Sequence, residues 1–303
     1  MPKKLNNLTV IIVTYLTSKQ ILLDCLKSIN KNFKIIIVEN SKKFPNEKFF
    51  KNKFPNLEVV CSGENLGYGK GNNFGLTRTK TDYALILNPD TVLEKNFFKN
   101  VMRIIKKKNF SIIGCHYKDD KIFMPAGFFD SKKNEKFRKN FFKKKPNNLI
   151  KVDWVVGCAM LLNLNKFKKR NLFDKNIFLY FEEFDLCKSI KNDKGSIYLS
   201  SELKVHHLGF KSSFSTNTKL KNEATKLKDW HWMWSYFYFY KKNYNYLFAL
   251  YKVLGKLIKS FFKSFFYTII FDRENRDKYV YRFLGLFFSI IGRESNYRVG
   301  KFF

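Results

Sequence analysis

Four short runs in the first third of the chain are almost continuously apolar and rich in β-branched residues: LTVIIVTYL (8–16), IIIVEN (35–40), LEVVCSG (57–63) and YALILNPDT (83–91). A strand with one face in water alternates apolar and polar residues. Unbroken runs belong to strands buried on both faces, as in a parallel sheet covered by helices. Helical patterns lie between them: Leu22, Leu23, Leu26 and Ile29 recur at helical spacing within 18–31, and a further helix contains Asn72 to Thr79. Strand, helix, strand in this rhythm predicts an α/β fold with a mostly parallel central sheet flanked by helices, which binds ligands at the carboxyl ends of its strands.

Each of these runs ends in polar residues: Thr14 and Tyr15, Glu39 and Asn40, Glu64 and Asn65, Asn88 and Asp90. Singly each is ordinary turn chemistry; four such ends in succession point to a binding edge. NLGYGKGNN (65–73) places Gly67, Gly69 and Gly71 ahead of a helix, where backbone N–H groups can approach an anion. It follows the third strand, where a dinucleotide-binding motif would follow the first, and it lacks the G-K-[ST] of a P-loop. In LILNPDT the single acid Asp90 directly follows a buried strand, a position from which a carboxylate can hold Mg²⁺ or Mn²⁺ against a diphosphate. A turn or N-cap role is the ordinary alternative for such an Asp.

Further along, residues 118–150 read as a basic loop, VDWVVGCAMLLN (152–163) as strand, and FLYFEEFDLCKS (178–189) as an acidic lead-in to a helix running to about Asn192. Short strands follow over 195–210, and from about Leu227 the chain reads as helical and aromatic to its end. The working division is an α/β domain over 1–228 and a helical, aromatic and basic region over 229–303. Five cysteines, odd in number and without a C-x-x-C pair, argue for reduced thiols in a cytosolic setting. The apolar run near the N-terminus reads as a first strand rather than a signal peptide.

The order of VIIVTY, IIIVEN, NLGYGKGNN, LNPDT, VDWVVGCAMLL, FLYFEEFDLCKSIK and KVHHLG resembles the family 2 glycosyltransferases of the GT-A fold, most closely their rhamnosyltransferase-like branch, over about residues 8–214. The resemblance implies an inverting transfer from a nucleotide-diphosphate sugar, with rhamnose the nearest guess, to a glycan or lipid-linked acceptor of cell-surface polysaccharide synthesis. It assigns donor binding to Thr14, Tyr15, Glu39, Asn40, Asn65, Gly67, Gly69, Asn72, Asn88 and Asp90. Asp90 becomes the ligand of a divalent metal, with a second ligand from His206 or His207. Trp154 and Gly157 fall on the acceptor side, and the general base is Glu183, with Glu182 as its possible partner. Asn88 stands where the fuller motif has an acid, and Glu183 where the family usually has Asp. For the three acids Glu182, Glu183 and Asp185, the plainer role is to favour the positive end of their helix.

The formal charge of +33 leaves a rival from another class, a noncatalytic basic nucleic-acid-binding protein. That reading needs aromatics interleaved with basic residues, and the Phe-rich stretches look apolar-faced instead, so no nucleic-acid partner is expected. An anionic membrane surface is the expected partner: Lys252, Lys256, Lys259 and Lys263 fall on one stripe of a helix otherwise rich in Phe, Leu, Ile and Tyr, and DWHWMWSYFYFYKKN (229–243) adds Trp and Tyr. No apolar run of 18 residues free of charge suggests a membrane span. The expected location is the inner face of the cytoplasmic membrane; the sequence leaves the oligomeric state open.

Overall fold

The computed structural model describes residues 7–117, 124–141, 149–207 and 218–298. The chain forms two compact units: one from the chain up to Phe173 together with a segment starting at Leu186, the other from Asp174–Asp185 with the C-terminal helices.

The first unit begins with β1 (Leu8–Thr14), α1 (Lys19–Lys27), β2 (Lys34–Glu39), α2 (Glu47–Lys53), β3 (Leu57–Cys61), α3 (Gly67–Leu76) and β4 (Tyr83–Leu87). It continues through β5 (Thr91–Leu93), α4 (Phe97–Lys107), β6 (Ile112–Tyr117), β7 (Ala126–Gly127) and α5 (Ser131–Phe141). Then come β8 (Leu149–Val152), β9 (Trp154–Val155), β10 (Ala159–Asn163), α6 (Glu182–Asn192), whose residues up to Asp185 belong to the second unit, and β11 (Ile197–His207). The main sheet runs β3-β2-β1-β4-β10-β6-β11-β5, with β8 added on β11, and β7 pairs with β9 apart from it. β3, β2, β1 and β4 are mutually parallel, as the four apolar runs predict, and β10 is antiparallel to both neighbours.

The strands are apolar on both faces because both are covered. Val10 and Ile12 of β1 pack with Leu22 and Leu26 of α1 and Val101 of α4, whereas Ile11 packs with Leu76 of α3 and Leu186 and Ile190 of α6. Gly75 permits a close approach of α3 to the sheet: a Cβ there would lie 2.6 Å from the Ile11 side chain.

Three differences from the sequence reading have local causes. The expected loop over 118–150 contains α5, whose N-terminus is capped by Asp130 (Lys133 N to Oδ1, 2.7 Å) and whose Phe137 and Phe141, one turn apart, rest on the core. No residue of α5 is fully buried, so its apolar signal is confined to those two rings. Positions 118–123 and 142–148 of that expected loop, and Leu208 and Gly209 of KVHHLG, lie outside the described residues. The run 152–163 is broken at Asp153, whose Oδ2 accepts from Phe129 N (3.1 Å) and pairs with Lys191, and again around Gly157. The short strands expected over 195–210 are a single strand, β11, interrupted by a bulge between Ser200 and Lys204.

In the second unit, α7 (Thr218–Asn243), α8 (Tyr246–Ile269) and α9 (Arg273–Ile290) pack on one another. Trp230 and Trp234 of α7 meet Phe288 and Leu284 of α9, and Gly285 lies against the backbone of Trp230, where any side chain would collide.

Candidate active site

Because β1, β2, β3 and β4 are parallel, their carboxyl ends share one edge of the first unit. The connections run from β1 out to β3 and then return to the other side of β1 as β4, so the direction of progress reverses between β1 and β4. Crevices for ligands open at such a reversal. Thr14 ends one of these strands and Asn88 follows the other.

Asn88, Pro89, Asp90 and Thr91 form a tight turn closed by Thr91 N to Asn88 O (3.1 Å), with Asn and Pro at the first two positions where such turns favour them. The turn holds Asp90 inside: it is 1% exposed, and neither carboxylate oxygen has a hydrogen-bond partner. Below it, Cys25 of α1 directs its thiol at Asn88 O (3.7 Å). Burial, reinforced by the charge of Asp90, pushes the Cys25 thiol far up, so it stays protonated. Sequence reasoning read Cys25 only as one of five reduced thiols and did not connect it with the Asn88–Thr91 turn.

The antiparallel pairing of β11 with β5 places the two histidines differently. His207 is registered with Thr91 and stands with Nε2 3.4 Å from Asp90 Oδ1. His206, one residue earlier and therefore on the other face, has Nε2 3.7 Å from Glu94 Oε1. Of the two histidines open as a second ligand, His207 is the one beside Asp90, and His206 lies beside Glu94. A buried carboxylate without donors is costly, and a hard cation shared with an imidazole and phosphate oxygens would relieve it. Among the described residues no group of three or more His, Cys, Asp or Glu side chains comes together. Asp90 and His207 therefore suit a cation completed by substrate, as Mg²⁺ sites with one or two protein ligands commonly are.

Along the same edge, Thr14 Oγ1 donates to Glu39 Oε2 (2.6 Å). Burial raises the Glu39 carboxyl above its ordinary range, and the Thr14 hydrogen bond partly offsets that rise. Tyr15 is half-buried beyond the end of β1. Asn40 is engaged inside the protein: its amide donates to Gly67 O (2.9 Å) and its carbonyl receives Ser62 Oγ (3.5 Å), so it fixes the start of α3 to β2. Asn65 Oδ1 accepts from Gly67 N (3.0 Å), and Gly67 has φ +78°, the left-handed region suited to glycine. Gly69 and Asn72 are buried, and Asn72 keeps its Oδ1 without a partner while its amide donates to Tyr68 O (3.0 Å). Tyr68, which no motif reading singled out, donates to Gly157 O, and Trp154 is half-buried in β9.

The acidic stretch begins in the second unit. Two consecutive residues, Tyr180 and Phe181, lead into α6 with φ 68° each, a strained path for L-residues that costs about 1–2 kcal/mol per residue. Packing holds it: the Phe181 ring sits 5.4–5.7 Å from those of Trp232, Tyr236 and Phe239 of α7. The three acids then diverge. Asp185 accepts from Lys242 Nζ (2.6 Å) and Asn243 Nδ2 (2.9 Å), a structural anchor. Glu182 is 2% exposed with Oε1 unpartnered, and burial together with the neighbouring charge of Glu183 pushes its carboxyl well above the usual range. Glu183 alone is half-exposed.

The chain belongs to glycosyl transferase family 2, whose sequence profile matches residues 9–170. It is 24% identical over 201 residues to the low-salt glycan biosynthesis hexosyltransferase Agl10 of Haloferax volcanii, and the match covers 64% of each chain. It is 25% identical over 184 residues to the rhamnosyltransferase WbbL of Escherichia coli K12, covering 55% of this chain and 69% of that one. Among solved structures it is similar to the mannosyltransferase PcManGT of Pyrobaculum calidifontis in complex with GDP-Man and Mn²⁺, with TM-score 0.53, 10% identity, and coverage of 94% of this chain and 87% of that one. It is also similar to GalNAc-T7 with UDP, GalNAc and Mn²⁺, with TM-score 0.52, 13% identity, and coverage of 75% and 50%. These likenesses establish the GT-A type of fold.

Proposed function

We propose that this family 2 chain is a metal-dependent, inverting glycosyltransferase that moves a hexose or rhamnose from a nucleotide-diphosphate donor to a hydroxyl of a glycan or lipid-linked acceptor. The observation that carries the reading is Asp90: a buried carboxylate without a hydrogen-bond partner, beside His207, at the reversal point of a GT-A sheet. Thr14, Tyr15 and Glu39 receive the nucleoside, with Asn40 and Asn65 setting the start of α3 beside them. Asp90 and His207 hold the Mg²⁺ or Mn²⁺, which when bound neutralises charge on the departing diphosphate. Glu183 accepts the proton of the acceptor hydroxyl as the new C–O bond forms and the diphosphate leaves from the opposite face. Its half-exposed position supports that role over the buried, proton-retaining Glu182. Trp154 and Gly157 belong to the acceptor side.

The relatives named for glycan biosynthesis and rhamnosyl transfer support this substrate class. The charge of +33 supports a place on an anionic surface, the inner face of the cytoplasmic membrane. Thermal melting with UDP, dTDP and GDP, each with and without Mn²⁺, tests the donor and metal together. At a ligand concentration of 100 Kd, stabilisation reaches about 2.7 kcal/mol. A melting temperature that no nucleotide moves, with or without Mn²⁺, overturns the reading.

A further inference from the structure

α8 uses only a narrow face for packing: Ala249, Val253 and Ser260 are buried against its neighbours in the second unit. A second, wider stripe stays in water. Leu247, Tyr251, Leu254, Ile258, Phe262 and Phe265 recur three or four residues apart, all exposed, with Leu247 at 76%, Tyr251 at 77% and Phe265 at 65%. On a helix turning ~100° per residue they occupy a sector of roughly 80°, far round the helix from the packed face. The lysine stripe lies outside this sector, with Lys252 and Lys259 its members closest to the apolar edge. From Leu247 to Phe265 this surface runs roughly 27 Å along the helix. A contiguous apolar strip of that length on a folded protein marks an interaction site.

From this surface we infer that α8 lies flat in an anionic lipid surface, its exposed apolar stripe in the acyl boundary and Lys252 and Lys259 at the headgroups. The inference deepens the membrane placement proposed above and is independent of the transfer chemistry. Charge selects the occupant. α8 carries four lysines and no acidic residue, so a second copy packed stripe to stripe would bring two such helices together with nothing to offset them. Anionic headgroups supply the missing charge. No helix among the described residues is long and apolar enough to cross a membrane, and the lysines within α8 suit a helix lying along the surface.

The test is co-sedimentation of the full chain with phosphatidylcholine–phosphatidylglycerol vesicles and with pure phosphatidylcholine vesicles, alongside sedimentation velocity without lipid. Binding to the mixed vesicles is expected, and it should weaken about tenfold for each ring lost in Phe262→Ser and Phe265→Ser. Lys252→Gln with Lys259→Gln should lose about fivefold per lysine on mixed vesicles and change little on phosphatidylcholine. All four positions are exposed, so unchanged melting temperature and nucleotide response are expected as controls for folding. Two results overturn the inference: no binding to mixed vesicles at low salt, or a concentration-dependent dimer that Phe262→Ser dissociates. Loss of lipid binding with the nucleotide response intact removes this inference alone, and the converse removes the donor reading alone.

Discussion

Asp90 and Glu182 are both buried acids with unpartnered oxygens, yet their predicted behaviour on substitution differs. Asp90→Ala removes an unsatisfied carboxylate, which costs about 1–3 kcal/mol to keep buried. The variant should therefore melt no lower than the parent while losing the Mn²⁺-dependent part of the nucleotide response; a persistent Mn²⁺ effect would show that the metal is held elsewhere. Glu183→Gln keeps shape and loses basicity, so nucleotide binding should survive while transfer falls by about 10²–10⁴-fold. Glu182→Gln should retain transfer, and its signature lies in the pH dependence of stability. The raised carboxyl holds its proton in the folded state after the unfolded chain has released one. Its contribution is therefore fully present below the ordinary Glu range and fades as pH rises through the folded value. Glu182→Gln removes that decline, so its melting curve should fall less steeply than the parent's between mildly acidic and neutral pH. Full transfer by Glu183→Gln with a dead Glu182→Gln would reverse the assignment.

At the scale of elements, the start of α6 and the end of α7 are joined by a small polar cluster. Lys242 of α7 donates to Asp174 Oδ2 (2.7 Å) and Asp185 Oδ2 (2.6 Å), and Tyr238 adds a bond to Asp174 (3.1 Å). Burial, the largest single influence, would raise Asp174, but the hydrogen bonds from Lys242, Asn176 N and Tyr238 together with the Lys242 charge outweigh it and hold the carboxyl below its usual value. A depressed carboxylate stabilises above its unfolded pKa and loses that contribution as pH falls through the folded value, so acid should loosen the lead-in to α6 from α7. Asp185→Ala should cost about 2–3 kcal/mol in urea unfolding, below a fully buried pair because Lys242 is partly exposed. An effect under ~0.5 kcal/mol would mean that the cluster is ornamental to stability.

For the whole molecule, a charge of +33 repels itself. Salt at about 0.15 M shortens the screening length to roughly 8 Å and should raise the melting temperature in the absence of lipid. The same salt should weaken vesicle attachment, since the attraction to headgroups is screened too. Melting that falls with added salt would indicate that attractive surface pairs, such as Lys34–Glu58 and Lys51–Glu47, outweigh the excess of like charge.

Much of this protein is legible in one dimension because its signals are local. Unbroken β-branched runs such as VIIVT and IIIV demand cover on both faces, so the parallel sheet, the edge where Thr14, Glu39 and Asn88 meet, and the turn around Asp90 follow from neighbours in the chain. The long C-terminal helices declare themselves in the same way. Other decisions depend on partners far away in sequence. Register between β11 and β5 turns His207 toward Asp90 and His206 toward Glu94, which adjacent identical residues cannot reveal. Burial separates Glu182 from Glu183, and the Gly67 carbonyl claims Asn40. α5 eluded the reading because two rings in a basic segment carry its whole apolar face. On α8 the sequence determines an apolar helix with a lysine stripe; only tertiary packing decides which apolar stripe is used inside the fold and which is left for another surface, because burial depends on what the chain brings alongside.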